Sequence, residues 1–194
     1  VGLTVLVGNV LRNAVLVALE ASGRGAGDLV HQAVGLAALA DLAGSALRAG
    51  DPALDQVLMI ETLAEARHVW SHGQRVVVFL AAMRHFRREL EQAGWHVHYR
   101  DLDSHVPDLG AGLRNAIEEL RPDRILLSEA GEWRVAQLVA TTCDATGVPV
   151  DVLPDTHFFC SSSEFAALAN GRRQLLMEHF YRTMRRKHGV LLDD

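Results

Sequence analysis

The chain has 194 residues, 49% hydrophobic and 22% charged; this globular composition excludes a disordered chain, and the length suits one well-packed domain. A formal net charge of -5 and a pI near 6.0 argue against nucleic-acid binding by the chain as a whole. The two cysteines, Cys143 and Cys160, make no Cys-x-x-Cys, so neither a disulfide framework nor a zinc or iron–sulfur site is read from them, and a reducing cytoplasm fits best.

No uninterrupted apolar run approaches the roughly 20 residues of a membrane span. The opening GLTVLVGNVL lacks the basic flank of a secretory signal, and a start at Val1 rather than Met is expected of a trimmed chain or a fragment. Residues 1–50 are rich in Ala, Leu, Gly and Val with sparse charge. GLTVLVGN (Gly2–Asn9) reads as a buried first strand ending at a glycine, and the stretch from Leu16 to Gly50 as weak helix interrupted at SGRGAG.

From Asp51 onward the patterns alternate. QVLMI (Gln56–Ile60) is a short apolar strand. Arg75–Gly94 is a helix, because Val76, Phe79, Leu80, Met83, Phe86 and Leu90 recur at helical spacing and Gly94 is a stop. Trp95–Leu102 alternates as a strand, Leu109–Leu120 is helix, RILLS (Arg124–Ser128) is strand, Trp133–Thr146 is helix and Val148–Leu153 is strand. Such alternation predicts βαβ units: an α/β fold with a Rossmann-like parallel sheet and helices on both faces. After it, Ser161 and Glu164 form a capping box, and Gln174–Gly189 makes a helix with Met177, Phe180, Tyr181 and Met184 on one stripe. This last helix is expected to lead towards an absent helical domain.

Open α/β sheets hold ligands at the carboxyl ends of their strands, near a topological switch point. Two places qualify. After QVLMI, spacings of three and four put Glu61, Glu65 and His68 on one face of any helix there. After RILLS stands EAGEWRV (Glu129–Val135), whose Glu129 and Glu132 also suit a helix amino terminus whatever the function. Neither a Gly-x-Gly-x-x-Gly fingerprint nor a P-loop is present, and GRGAG (Gly23–Gly27) follows no predicted strand. His96 and His98 share a strand face but lack a third ligand at a telling spacing, so hydrogen-bonded imidazoles are the commoner meaning. There is no Gly-x-Ser-x-Gly elbow. The basic run Met184–Lys187 could touch nucleic-acid phosphates, although such runs are more often solvated helix ends. The residues alone therefore lead to a ligand-binding α/β domain without a catalytic constellation.

Four blocks, taken together, resemble the amino-terminal α/β domain of the deoxyribodipyrimidine photolyase-related family, the iron–sulfur branch of bacterial cryptochromes and (6-4) photolyases. They are AAMRHFRRELEQAGWHVHYRDLD (Ala81–Asp103), EAGEWRV, the stretch Ser161–Asp193 with MEHFYRTMRR, and, less strongly, VLMIETLAEARHVWSH (Val57–His72). The likeness runs almost without gaps from about Asp51 to Asp194. It implies a light-driven DNA repair flavoprotein, a DNA photolyase-type lyase, of which this chain is the antenna part and is inactive alone. In the family that part holds a ribityllumazine chromophore that passes excitation energy to FAD. The FAD pocket, the cysteines of a [4Fe-4S] cluster and the DNA-lesion pocket belong to a helical domain beyond the region of likeness. The implied partners are that FAD-binding domain and, through it, damaged DNA, with no membrane.

Carried over by position, the resemblance puts Glu65 at a chromophore-contacting acidic position with Ile60 and Glu61 beside it. His68 stands where the family usually has tyrosine, Ser71-His72-Gly73-Gln74 where it has a His-His-Lys-like run, and Ala130 where it has proline. The family's opening Gly-Asp-Gln, whose acidic residue helps hold the ligand, has Gly8-Asn9-Val10 as its analogue, which adds Asn9 to the expected set although it lies far upstream. Residues 1–50 are thus an atypical segment, read as an insertion, an alternative start or a shifted frame. Residues 51–160 are the antenna domain and 161–194 a helical linker. The alternative is a stand-alone α/β module binding a nucleotide- or lumazine-like ligand, since fold alone does not fix function.

Overall fold

The computed structural model describes residues 2–5, 44–68, 72–155 and 158–192. Two compact units divide after Leu153. The first holds a five-stranded sheet: β1 (Gly2–Val5), β2 (Gln56–Ile60), β3 (His96–Arg100), β4 (Arg124–Ser128) and β5 (Val150–Leu153). The order is β3-β2-β1-β4-β5 and every pairing is parallel. These are the first five positions of the doubly wound order. The predicted first strand is present over Gly2–Val5 and is central, pairing Leu3 with Gln56 on one side and with Ile125 on the other. Asn9 lies outside the described residues.

Seven α-helices are described: α1 (Gly44–Ala49), α2 (Leu63–His68), α3 (Gly73–Gln92), α4 (Leu109–Leu120) and α5 (Trp133–Thr146) in the first unit, then α6 (Ser162–Ala169) and α7 (Met177–His188) in the second. The period-2 alternation of strand side chains sends neighbouring residues of β2 into two different cores. Leu58 and Ile60 pack with Leu109, Leu113, Ala116 and Ile117 of α4 and with Val135, Val139 and Cys143 of α5. Val57 and Met59 pack instead with Leu47 of α1 and with Met83, Phe86 and Leu90 of α3. Both faces of the sheet are therefore covered, and the near-continuous apolar character of β2 and β4 has its cause. Among the described helices, α1 of the β1–β2 crossover and α3 of the β2–β3 crossover lie on one face, and α4 and α5 of the β3–β4 and β4–β5 crossovers on the other, as uniform crossover handedness requires when the chain reverses direction across the sheet.

Local signals explain the element ends. Asp108 caps α4 by accepting from the Ala111 N–H at 2.8 Å. Gly147 ends α5 in a left-handed conformation at φ 70°. In α4, Gly112 is required by space: a Cβ there would lie 2.9 Å from Ile60 Cδ1 and from Val106 Cγ1. Among the described residues no helix is long and apolar enough to cross a membrane.

In the second unit, Ser161 Oγ accepts the Glu164 N–H at 3.2 Å, forming half of the predicted capping box. The Glu164 carboxylate pairs with Lys187 at 2.7 Å. The last helix starts at Met177 rather than Gln174. Of its apolar stripe Met184 is buried, whereas Met177 and Tyr181 are exposed.

Candidate functional site

Between β1 and β4 the sheet order turns back, and the carboxyl ends of β2, β1 and β4 lie side by side there. This is the topological switch point, the place where doubly wound sheets bind ligands. The turn after β2 supplies Glu61, Thr62 and the short α2; the turn after β4 supplies Glu129 to Glu132 and the start of α5. The carboxyl end of β4 also meets α1: Ser128 Oγ accepts the Ala46 N–H at 3.1 Å.

Glu65 on α2 and Arg134 on α5 join these two turns. The Arg134 Nη1 donates to Glu65 Oε1 at 3.0 Å and its Nη2 to Oε2 at 2.6 Å. Its Nε donates to Glu132 Oε1 at 2.9 Å. A planar guanidinium fork matches a carboxylate edge in this way, fixing direction as well as distance. The hydrogen bonds that Arg134 donates to Glu65 and then to Glu132 raise its pKa above the ordinary value. Glu65 and Arg134 are both about two-thirds buried, at 34% and 31% side-chain exposure.

Glu61 takes a different direction. Its N–H donates to the Arg100 carbonyl at 2.7 Å, so the β2–β3 ladder continues one residue past Ile60. Strand alternation then turns the Glu61 side chain to the α3 face, where it is 1% exposed. There it accepts Arg84 Nε at 2.8 Å and Nη2 at 2.9 Å, the Tyr99 hydroxyl, and the Leu102 N–H at 3.2 Å. Burial pushes the Glu61 carboxyl upward in pKa, but the Arg84 and Tyr99 hydrogen bonds outweigh it and hold the group below its ordinary value. Burial, followed by Glu61, raises the Tyr99 phenol.

The expected single face of Glu61, Glu65 and His68 is therefore not formed. Thr62 Oγ1 accepts the Ala64 N–H at 3.2 Å, and α2 starts only at Leu63, which leaves Glu61 on the strand side of the junction. Glu65 stays on the helix, and His68 is exposed at its end. Ile60 is 8% exposed and packs into the core against α4, close to Gly112. The residue that a reading by spacing missed is Arg134: it stood in EAGEWRV, but its link to Glu65 spans 69 residues of sequence.

Other candidates have ordinary partners. His98 Nε2 lies 2.5 Å from Gln56 Oε1 and its ring lies 4.6 Å from that of His96. Among the described residues no group of three or more His, Cys, Asp or Glu is placed to hold a metal ion. Cys143 is buried on α5 and Cys160 lies in the second unit. A [4Fe-4S] cluster takes four thiolates, which two cysteines do not supply.

The fold and this pair of turns can be set beside known proteins. The (6-4) photolyase of Agrobacterium fabrum is 38% identical over 151 residues, an alignment covering 77% of this chain and 30% of that protein. The chain thus spans less than a third of the length of that relative. A family model described as deoxyribodipyrimidine photo-lyase-related protein matches residues 41–194, from just before α1 through the last helix. The match takes in both turns of the switch point and leaves out most of the atypical first segment. On this match the chain belongs to the deoxyribodipyrimidine photo-lyase-related protein family.

Proposed function

We propose that this chain is the antenna-chromophore domain of a light-dependent, photolyase-like DNA repair flavoprotein. The supporting observation is the position of Glu65: the acidic residue nominated for chromophore contact stands at the switch point of a doubly wound sheet, held there by Arg134. A ribityllumazine suits this acceptor, because its ribityl hydroxyls and ring N–H offer hydrogen-bond donors to a carboxylate. Glu61 acts from behind: tied to Arg84 and Tyr99, it fixes the strand end from which α2 departs. Ile60 provides the apolar floor of the same turn.

In the whole protein the ligand would pass excitation energy to FAD in a helical domain, which would act on pyrimidine photoproducts in DNA. The chemistry belongs to the flavin, and this chain alone is expected to have no lyase activity. A [4Fe-4S] cluster would likewise belong to that domain, and the whole would work in the cytoplasm.

The test is to titrate the purified chain with ribityllumazine, following the ligand's fluorescence and absorption. Saturable binding by the wild-type chain, lost in Glu65→Ala with the fold retained by circular dichroism, supports the reading. Undiminished binding by Glu65→Ala removes the site assignment. No binding by the wild-type chain removes the antenna function.

A further inference from the structure

We infer that the apolar groove of the second unit is a docking surface, and that its occupant is the polypeptide following Asp194 in the full-length protein, seated as an apolar segment with a carboxylate on its flank. The inference rests on reading the chain as part of a longer photolyase-like protein, and adds to that reading the surface by which the rest is held. The second unit contributes two helices, of eight and twelve residues. Among its described residues Met184 alone is buried. Helices this short are marginal in water unless an apolar face is packed, and one buried side chain is far less core than an independent unit needs. Large apolar side chains stand exposed instead: Phe159 at 68%, Tyr181 at 63% and Leu191 at 73%. With Phe158, Phe180 and Met184 they line one groove of about 390 Å³. Contiguous exposed apolar surface of this kind marks an interaction site.

The groove is built on a fixed frame. Lys187 Nζ and His188 Nε2 donate to the Phe159 carbonyl at 3.4 and 2.7 Å. The Phe159 and His188 rings lie 5.0 Å apart, and Phe180 meets Phe165 edge-on at 5.5 Å. Charge then describes the occupant. Arg182 and Lys187 are paired with Glu178 and Glu164. Arg185, which lines the groove, donates its Nε to the Val190 carbonyl at 3.3 Å and has no carboxylate partner among the described residues. A guanidinium left with open Nη donors beside apolar surface suits a carboxylate from the occupant. A second copy of this chain would instead bring the same groove, with its own Arg185, in an isologous contact. The aligned 151 residues are 30% of the Agrobacterium fabrum protein, so more than two-thirds of that relative lies outside the match. Val190 and Leu191 line the groove three to four residues before Asp194. A segment continuing from there starts at the groove, so its tether keeps the closure cost low and its effective concentration high.

The test compares amide exchange in the 194-residue chain and in the full-length protein. Amides of Tyr181–His188 should exchange about tenfold or more slowly in the full-length protein. Tyr181→Glu and Leu191→Glu, at exposed positions, should leave the melting temperature of the 194-residue chain within about 2 °C and cancel the added protection in the full-length protein. Arg185→Glu should cancel it as well; should a glutamate variant of the full-length protein not fold, Tyr181→Ser and Arg185→Ala decide. Equal exchange in the two proteins overturns the inference, as does added protection that survives every substitution. Concentration-dependent protection of the 194-residue chain, with a dimer in sedimentation, gives the groove to a second copy and overturns the assigned occupant. A reading frame that stops after Asp194 overturns it too. All these outcomes are read without ribityllumazine, so they leave the antenna reading to its own titration.

Discussion

Arg134 and Glu65 are 69 positions apart, yet their side chains meet in a two-pronged ion pair at 2.6 and 3.0 Å. One partner follows β4 and the other follows β2, and the strand between them is β1. The pair therefore spans the switch point, and the EAGEWRV motif is one half of that connection.

The pair should be weak in stability terms. Both side chains keep about a third of their exposure, and such pairs contribute roughly 0.5–1 kcal/mol in double-mutant cycles. A cycle built on Glu65→Gln and Arg134→Gln, read by urea unfolding, should return a coupling of that size. Coupling well above 2 kcal/mol would mark the pair as a structural element in its own right.

The Glu61 group should behave differently, because its carboxylate is fully enclosed, with 0% side-chain exposure. Arg84→Met leaves a buried charge with only Tyr99 and the Leu102 N–H, and should cost about 2–4 kcal/mol. Tyr99→Phe removes one hydrogen bond to an ionised acceptor and should cost about 1.5 kcal/mol. Chemical denaturation of both variants checks the order; equal costs would contradict it.

The same carboxylate predicts an acid-sensitive stability. Its folded pKa lies below the ordinary 4.5, so the native state binds fewer protons than the unfolded state in this range. Its contribution is then complete above pH 4.5 and is lost as pH falls through the folded pKa. Unfolding measured from pH 6 down to about pH 3 should show this slope, and Glu61→Gln should flatten it. An unchanged slope would assign acid sensitivity to other carboxylates.

Gly112→Ala should destabilise the first unit. Alanine improves helix propensity by about 1 kcal/mol. Here its Cβ would crowd Ile60 and Val106 at 2.9 Å, and overpacking of this kind costs about 1–3 kcal/mol. Val106→Ala in the same chain should recover part of the loss. A net gain in melting temperature for Gly112→Ala alone would show that α4 shifts freely.

In the second unit, Ser161→Ala should remove the cap of α6 and cost about 1 kcal/mol. Amide exchange at Glu164, whose N–H the serine holds, is the direct measurement. Unchanged protection would mean the Lys187 ion pair orders this turn.

Much of this protein follows from local chemistry along the chain. The apolar runs of β2 and β4, the stripe Met83–Phe86–Leu90 on α3 and the caps at Asp108 and Ser161 are each governed by neighbours within a few residues. Hydrophobic period and hydrogen-bond competition at helix ends act at that range, so alternating strands and helices could be read directly, and the parallel sheet with them. The motif blocks likewise carried the family.

What the tertiary structure alone decided is where the carboxylates point. Spacing placed Glu61, Glu65 and His68 on one helix face, but the β2–β3 ladder runs one residue further and Thr62 delays the helix. Glu61 therefore turns to Arg84 and Tyr99 on the α3 face, while Glu65 turns to Arg134 across the end of β1. Those partners lie 23, 38 and 69 residues away. No local pattern encodes such distances; the packing of helices on two faces of a sheet brings the groups together.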